Sequence, residues 1–379
     1  MNEELPIGLG LVLLAGVLQG SFMLPMTLTR RWQWEHGWAM FSLLGMLVFN
    51  IALAAWAVPG LVSAYRATPM RDLCVLAMFG ALWGAGAVLF GLGMARLGMA
   101  VGYPIIMGLI LSLGAIIPLV LQNPAQLVSR TGLVLLAGMA VTIGGVVLCS
   151  QAAAAKDAQP SGQHDKSASS GMAAGVVIAV LAGVFSCLPN VGMNHAESLK
   201  AAAVDLGASP VMAGNAAWAL LFIAGFVLNF GYCLGLMLRR GNLGDWVNDF
   251  PRNLSLISLM AAAWIGSFYL YGMGAARMGR WGGIVGWPLF ISLAILVGNL
   301  WGLWRGEWRN ASPSARVRLS LGLAVLLLAV AVFGAASSLK PSGEGKAIES
   351  PAQRSSFWET GPAIVMGAIS LRHRSEYAL

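Results

Sequence analysis

Two stretches of the chain repeat each other, and they decide how it folds. Residues 83–98 read WGAGAVLFGLGMARLG, and residues 264–279 read WIGSFYLYGMGAARMG. At a constant offset of 181 residues they share the pattern W-x6-[FY]-G-[LM]-G-x-A-R-[LM]-G, which Gly102 and Gly283 extend. Small residues at four-residue spacing let helix backbones approach closely in lipid. The repeat therefore predicts two copies of one tightly packed helical unit.

The composition around these stretches is that of a membrane protein. Of the 379 residues, 58% are apolar and 10% are charged, whereas soluble domains carry about 25% charged residues. This balance excludes an ordinary soluble enzyme and a disordered chain. The formal net charge of +8 is typical of loops that follow the positive-inside rule, and we expect no nucleic-acid partner. The four cysteines lie in apolar runs without CxxC spacing, so we expect no metal site.

Ten stretches are long and apolar enough to cross a bilayer, which takes about 20 residues in a helix. They are 7–28, 38–58, 73–95, 98–121, 132–151, 172–193, 210–238, 254–276, 281–304 and 319–339. No Asp, Glu, Lys, Arg or His falls within them, so every charge belongs to a loop, a linker or a tail. The sequence predicts an all-α integral membrane protein with ten transmembrane helices.

The repeat unit is five helices long. The sequence LAGV recurs at 14–17 and 181–184, which ties span one to span six. An odd number of spans forces the second copy to enter the membrane from the opposite side, so we predict two inverted five-helix repeats with a substrate site between them. The predicted divisions are an N-terminal repeat at 1–151, a flexible linker at 152–171, a C-terminal repeat at 172–339 and a disordered tail at 340–379.

The orientation follows from the distribution of Lys and Arg between the loops. The loops on one side of the predicted bundle are richer in both residues than those on the other side. With the richer side in the cytoplasm, both termini lie in the periplasm, as expected for a multi-pass protein of the cell inner membrane.

Several motifs resemble one transporter family. Span one ends with Phe22-x-x-Pro25 and is followed by Arg31-Trp32-x-Trp34-Glu35. Span three reads GALWG and then GLGMARLGM, and the loop before span seven reads AAAVDLGASP. Over residues 7–339 the chain resembles the L-rhamnose–proton symporter family of the drug/metabolite transporter superfamily. The resemblance implies an importer that takes up a deoxyhexose with protons and is not an enzyme.

Candidate sugar-binding residues combine hydrogen-bonding groups with aromatic rings. Polar groups left unpaired by a wrong ligand cost binding energy, and aromatic rings offer large contact area to the apolar face of a sugar. The candidates are Gln19, Phe22, Trp83, Tyr103, Asn190, Asn194, Trp264 and Tyr271. Each alone is also a common helix-packing residue. Gln19 and the Trp83/Trp264 pair stand out because they belong to repeated elements that would meet at the centre.

Proton coupling requires an ionisable group, and such groups inside membranes normally have a function. Glu35, just before span two, is the candidate for coupling or gating, and the alternative is an interfacial residue beside aromatic side chains. His36 and His195 are expected to be peripheral and solvated. Arg96 and Arg277 fall in very short predicted turns between spans three and four and spans eight and nine.

The leading hypothesis is a secondary transporter of a small neutral sugar, L-rhamnose or a related deoxyhexose, that uses protons and contacts membrane lipid. The alternative is an uncoupled carrier or exporter of another small metabolite. Spans without ionisable residues are consistent with this alternative, because such transport needs no proton-binding group. An enzyme acting on lipid-linked substrates would need clustered catalytic groups, but the sequence contains no HExxH, GxSxG or P-loop motif. A sensor or scaffold would need a folded soluble module, and the sequence predicts none. We also expect no cofactor.

Overall fold

The computed structural model of the chain describes residues 4–122, 124–157, 169–279, 282–306, 308–309 and 311–338. The tail predicted at 340–379 and most of the linker predicted at 152–171 lie outside these residues. Within them every regular element is a helix. The predicted all-α membrane protein is therefore confirmed.

Ten apolar helical segments form the bundle, and we number them in chain order. They are α1 (Glu4–Leu28), α2 (Trp34–Ala57), α3 (Met70–Gly93), α4 (Ile105–Leu121), α5 (Gly132–Ala152), α6 (Ala174–His195), α7 (Gly214–Arg240), α8 (Phe250–Arg277), α9 (Gly282–Trp304) and α10 (Pro313–Phe333). Among the described residues, nine of the ten are long and apolar enough to cross a membrane, and α4 is shorter. They correspond one to one with the ten predicted spans.

Short helices and turns connect the ten segments or form their ends. The short α-helices are Leu61–Ala67 and Glu197–Asp205, and α6 contains the separate helical turn Leu188–Gly192, in which Pro189 is the second residue. The 3-10 turns are Pro25–Leu28, Pro124–Val128, Met193–His195 and Leu243–Val247. Two segments contain π-helix, at Ser42–Phe49 within α2 and at Gly282–Gly286 at the start of α9. Helical conformation extends beyond the apolar part of α5 and α10, over Arg130–Asp157 and Pro313–Ser338.

The joint between α3 and α4 differs from the prediction. We predicted a turn at Arg96, but the backbone is helical without interruption over Met70–Gln122. A Cβ on Gly93 would nevertheless lie 3.5 Å from Ile106 Cδ1, although residues 13 positions apart in a straight helix are about 20 Å apart. The helix therefore bends sharply between these residues, and α3 and α4 lie side by side. Glycines in this stretch permit such a bend.

The equivalent joint in the second copy of the repeat is a true break. α8 ends at Arg277, and Gly279 adopts φ +59°, the left-handed conformation that favours glycine at helix ends. Arg277 lies here in the last turn of the helix, and its Nε is 3.1 Å from Glu4 Oε2 of α1. The turn predicted at Arg277 is thus confirmed.

The helices pack in a crossed pattern. α1 contacts α8 and α9, whereas α6 contacts α3 and α4, and α5 pairs with α10. Several contacts bring backbones together: a Cβ on Gly80 would lie 2.1 Å from the Leu221 carbonyl oxygen, and one on Gly274 would lie 2.7 Å from the Gly8 carbonyl oxygen. Glycine is needed at these positions because any side chain would displace a neighbouring backbone. This packing leaves a central space where α1, α3, α6 and α8 meet.

Candidate functional site: an aromatic cavity

A cavity of about 490 Å³ lies among α1, α2, α3, α4, α6, α8 and α9. Cavities of a few hundred Å³ are the usual size for small-molecule sites. Nine of its 23 lining residues are aromatic. The aromatic lining residues are Phe22, Trp34, Trp38, Phe41, Trp83, Phe90, Trp264, Phe268 and Trp287. The cavity extends to the end of the bundle at which α1 ends and α2 begins, where Met23 and Trp34 are 39% and 41% exposed.

Two polar side chains without charge reach the cavity wall, Gln19 from α1 and Ser186 from α6. The Gln19 Oε1 atom lies 2.7 Å from Ser267 Oγ. Among the residues that the structure describes, no acceptor pairs with Gln19 Nε2, and no ionisable side chain lines the wall. The wall is therefore suited to a neutral ligand that accepts a few hydrogen bonds.

The two repeat tryptophans stack against each other at the cavity wall. The ring centroids of Trp83 and Trp264 are 5.9 Å apart, and the rings are inclined by 17°. Phe222 supports both rings from behind, at centroid distances of 5.1 Å and 4.7 Å. Neither indole N–H has a hydrogen-bond acceptor among the described residues. The pair thus offers a rigid aromatic surface and two free donors.

The structure brings four of the eight candidate sugar-binding residues to the cavity: Gln19, Phe22, Trp83 and Trp264. Their role in binding remains a prediction. The side chain of Tyr103 lies outside the described residues.

The other three candidates lie away from the wall. Tyr271 Oη donates to Asn190 Oδ1 at 2.6 Å, and Asn190 Nδ2 is 2.7 Å from the Gly114 carbonyl oxygen and 3.2 Å from that of Gly283. Asn194 Nδ2 donates to the Val191 carbonyl at 3.1 Å. Asn190 and Tyr271 are buried, and their polar atoms are used in contacts within the protein. Polarity alone therefore did not distinguish these residues from Gln19, which does line the wall.

Sequence reasoning did not select Ser186, Trp34, Trp38 or Trp287, which also line the cavity. One signal was present for Ser186. The offset of 167 residues between the two LAGV sequences carries position 19 to position 186, so Ser186 is the repeat equivalent of Gln19. Trp34 and Trp38 are four residues apart and therefore share a helix face, which also makes them a candidate pair.

Glu35 lies at the same end of the bundle but not on the wall. α2 begins at Trp34, earlier than the predicted start at 38, so Glu35 belongs to the first helical turn and is 1% exposed. Arg240 Nη1 lies 3.0 Å and 3.1 Å from its two carboxylate oxygens, and Asn242 Nδ2 donates to Oε1 at 2.8 Å. These contacts stabilise the ionised carboxylate. The prediction that His36 is solvated is wrong, because its side chain is 0% exposed.

Comparison with known proteins gives a consistent result. The family model described as L-rhamnose-proton symport protein matches residues 1–338. The chain is 28% identical over 342 residues to the L-rhamnose-proton symporter of Klebsiella pneumoniae (strain 342). It is 27% identical to that of Shigella dysenteriae serotype 1 (strain Sd197) and 26% identical to that of Escherichia coli (strain 55989 / EAEC). Each match covers 88% of this chain and 98% of the relative. The chain belongs to the L-rhamnose-proton symport protein family.

Proposed function

We propose that this multi-pass membrane protein transports L-rhamnose, or a closely related deoxyhexose, together with protons. The observation that carries the proposal is the uncharged, aromatic cavity of about 490 Å³ inside a bundle that matches a symporter family. A neutral sugar needs no charged partner, and the family's relatives are named for L-rhamnose. An uncoupled carrier or exporter is the second candidate, because no ionisable side chain among the described residues lines the cavity.

The wall chemistry suits a deoxyhexose. The stacked rings of Trp83 and Trp264 provide a flat surface for the apolar face and methyl group of the sugar. Gln19 and Ser186 can pair with hydroxyl groups, and the free indole N–H groups can donate to them. We propose that Gln19, Phe22, Trp83 and Trp264 bind the sugar. Asn190 and Tyr271, which bond to each other, instead hold the helices behind the wall.

We also propose that the two halves are inverted repeats and that the axis relating them passes through the cavity. The repeat offsets pair five wall residues of the first half with wall residues of the second. These pairs are Gln19 and Ser186, Phe22 and Pro189, Trp83 and Trp264, Ala87 and Phe268, and Ile110 and Ile291.

The helix contacts support the same symmetry. A Cβ on Gly274 would lie 2.9 Å from Val12 Cγ2 of α1, and one on Gly93 would lie 3.4 Å from Ala179 Cα of α6. Gly93 and Gly274 are repeat equivalents by the offset of 181, and Val12 and Ala179 by the offset of 167. Inverted repeats with a site at their interface are a common basis for alternating access.

The protein is proposed to lie in the inner membrane with both termini in the periplasm, as the loop charges favour. The end of the bundle with Glu35 and Arg240 then faces the cytoplasm. Glu35 belongs to the first half and Arg240 to the second, so their ion pair joins the halves beside the cavity mouth. We propose that Glu35 serves in gating.

Replacing Glu35 with Gln should slow transport several-fold without uncoupling it. The change removes the ion pair, but Arg240 is 54% exposed and stays solvated, so the fold should survive. The measurements are the initial rate and the final accumulation of labelled sugar in proteoliposomes. Glu197→Gln is the control, because Glu197 is 79% exposed and pairs with Lys200 at the surface. An unchanged rate in Glu35→Gln would remove Glu35 from gating.

Purified protein in liposomes should accumulate labelled L-rhamnose when the outside is made acidic. If one proton accompanies each sugar, a gradient of about one pH unit corresponds to about 1.36 kcal/mol and so supports about tenfold accumulation. A protonophore should abolish it. A negatively charged uronic acid should not be transported, since the described wall offers no cationic partner. Rhamnose uptake that does not depend on the pH gradient would favour the uncoupled carrier. Absence of rhamnose uptake would refute the proposed substrate.

A further inference from the structure

We propose that His36 is the residue that accepts the transported proton. This inference rests on the proposed proton-coupled function and supplies the titratable group that the cavity wall lacks. Among the described residues, Glu35 and His36 are the buried side chains of the Asp, Glu, Lys, Arg and His types. Glu35 is held in its ionised form by Arg240 and Asn242. His36 is the remaining candidate.

The hydrogen bonds of His36 define its tautomer. Nδ1 lies 3.1 Å from the backbone N of Gln33, which can only donate, so Nδ1 accepts this bond. Nε2 lies 2.9 Å from the carbonyl oxygen of Asn242, which can only accept, so Nε2 carries the hydrogen. The arrangement requires a neutral imidazole with a lone pair on Nδ1.

Proton binding would disrupt the start of α2. A proton from a hydronium ion would form a new N–H bond at Nδ1 while its O–H bond breaks and water leaves, and the hydrogen bond from Gln33 N–H would be lost. That bond is half of the capping box between Gln33 and His36 that begins α2. Capping bonds satisfy backbone donors that the helix cannot satisfy itself, and their loss destabilises the first turn.

The carboxylate next to His36 is already paired before the proton arrives. On its own helix Glu35 is paired with Arg240 from α7, and Asn242 contacts both Glu35 and His36. The indole N–H of Trp246 donates to the His36 carbonyl at 3.1 Å. The other titratable or charged residues near this end are Arg30 and Arg31 just before the turn, with Cys233, Arg239, Asp245, Asp249 and Arg252 on the elements that pack on it, and Arg31 Nε lies 3.6 Å from Asp249 Oδ2. Protonation therefore adds a net positive charge to this turn.

Two residues that line the cavity lie in the first turns of α2, next to His36. They are Trp34 and Trp38, and their rings stack with centroids 5.4 Å apart. The π-helical stretch Ser42–Phe49 follows in α2, and π-helix inside an α-helix frequently marks a functional site. A change in the capping of the first turn can thus move the two tryptophans relative to the rest of the helix. This links proton binding at His36 to the shape of the sugar site.

The test replaces His36 with Gln, whose side-chain oxygen can still accept from Gln33 N–H but which does not titrate. We expect proteoliposomes to lose gradient-driven accumulation of L-rhamnose, while exchange of labelled for unlabelled sugar without a gradient stays within about twofold of wild type. His195→Gln is the matched control, because His195 is exposed and stacks on Phe79. It should accumulate sugar as the wild type does.

A second readout measures protons directly. In weakly buffered detergent solution, L-rhamnose should change the proton binding of the wild type, and His36→Gln should lose this signal; His36→Asn serves if the Gln variant does not fold. Retained accumulation or a retained proton signal in a folded variant would overturn the role of His36. A wild type that transports no rhamnose, or transports it without regard to pH, would instead refute the proposed function.

Discussion

Replacing Trp264 with Ala is expected to abolish rhamnose transport, and replacing Trp83 with Ala to weaken rhamnose binding about tenfold or more. Both changes remove part of the stacked surface at the wall. An aromatic contact contributes about 0.5–1.5 kcal/mol beyond its buried area, and each 1.4 kcal/mol corresponds to about tenfold in affinity. With the buried area included, the loss at Trp83 therefore exceeds one decade.

The two tryptophans differ in how strongly they also support the fold. Trp264 is 3% exposed and packs against Phe41 and Phe268, with ring centroids 5.2 Å and 5.3 Å away. Truncating a buried Trp typically costs about 3–5 kcal/mol of stability. Trp83 is only partly buried, so its loss should affect binding more than folding.

Binding and stability are separated by measuring both for each variant. Sugar affinity is measured by fluorescence or calorimetric titration. Stability is measured by thermal unfolding, with size-exclusion chromatography as the readout of the folded fraction. The controls are Trp56→Ala and Trp304→Ala, because these side chains are 73% and 74% exposed and should leave both quantities unchanged. Unaltered rhamnose affinity in a folded Trp83→Ala variant would place the sugar elsewhere.

The sequence was sufficient to predict the helices because hydrophobic length is a strong signal in membrane proteins. The course of the backbone between consecutive helices could be predicted less well. GLGMARLG and GMGAARMG are nearly the same motif, yet the first stays helical through a sharp bend and the second ends at Gly279. The difference depends on what packs around each joint, which local sequence does not contain.

The candidate site was predicted in part, for reasons visible in particular residues. Trp83 and Trp264 were found through the repeat, because symmetry places equivalent residues near the axis. Asn190 and Tyr271 are equally polar but are bonded to each other, a fact that depends on tertiary contacts. His36 was expected to be solvated, but Asn242, more than 200 residues away, closes over it. Polarity identifies candidates, and packing decides which of them remain free for a ligand.

Alanine in place of Gly80 or Gly274 is expected to prevent the stable docking of the two halves. The new Cβ would lie 2.1 Å from the Leu221 carbonyl oxygen in the first case and 2.7 Å from that of Gly8 in the second. Both neighbours are backbone atoms on another helix, so the helices must separate. Inserting a methyl group into a packed core usually costs about 1–3 kcal/mol, and a contact with backbone should fall at the upper end. Thermal unfolding and sugar uptake should both report the loss.

Two control substitutions show whether a loss of stability comes from close helix contact or from helix propensity. A Cβ on Gly231 of α7 or on Gly266 of α8 would have no neighbouring atom within 4 Å, so alanine there meets open space. In a helix interior alanine is favoured over glycine by about 1 kcal/mol, so local helix propensity alone would make all four substitutions neutral or stabilising. Only close helix contact makes Gly80→Ala and Gly274→Ala destabilising. If all four variants behaved alike, the contacts of α3 with α7 and of α1 with α8 would be wrong, and with them the interface at which the cavity forms.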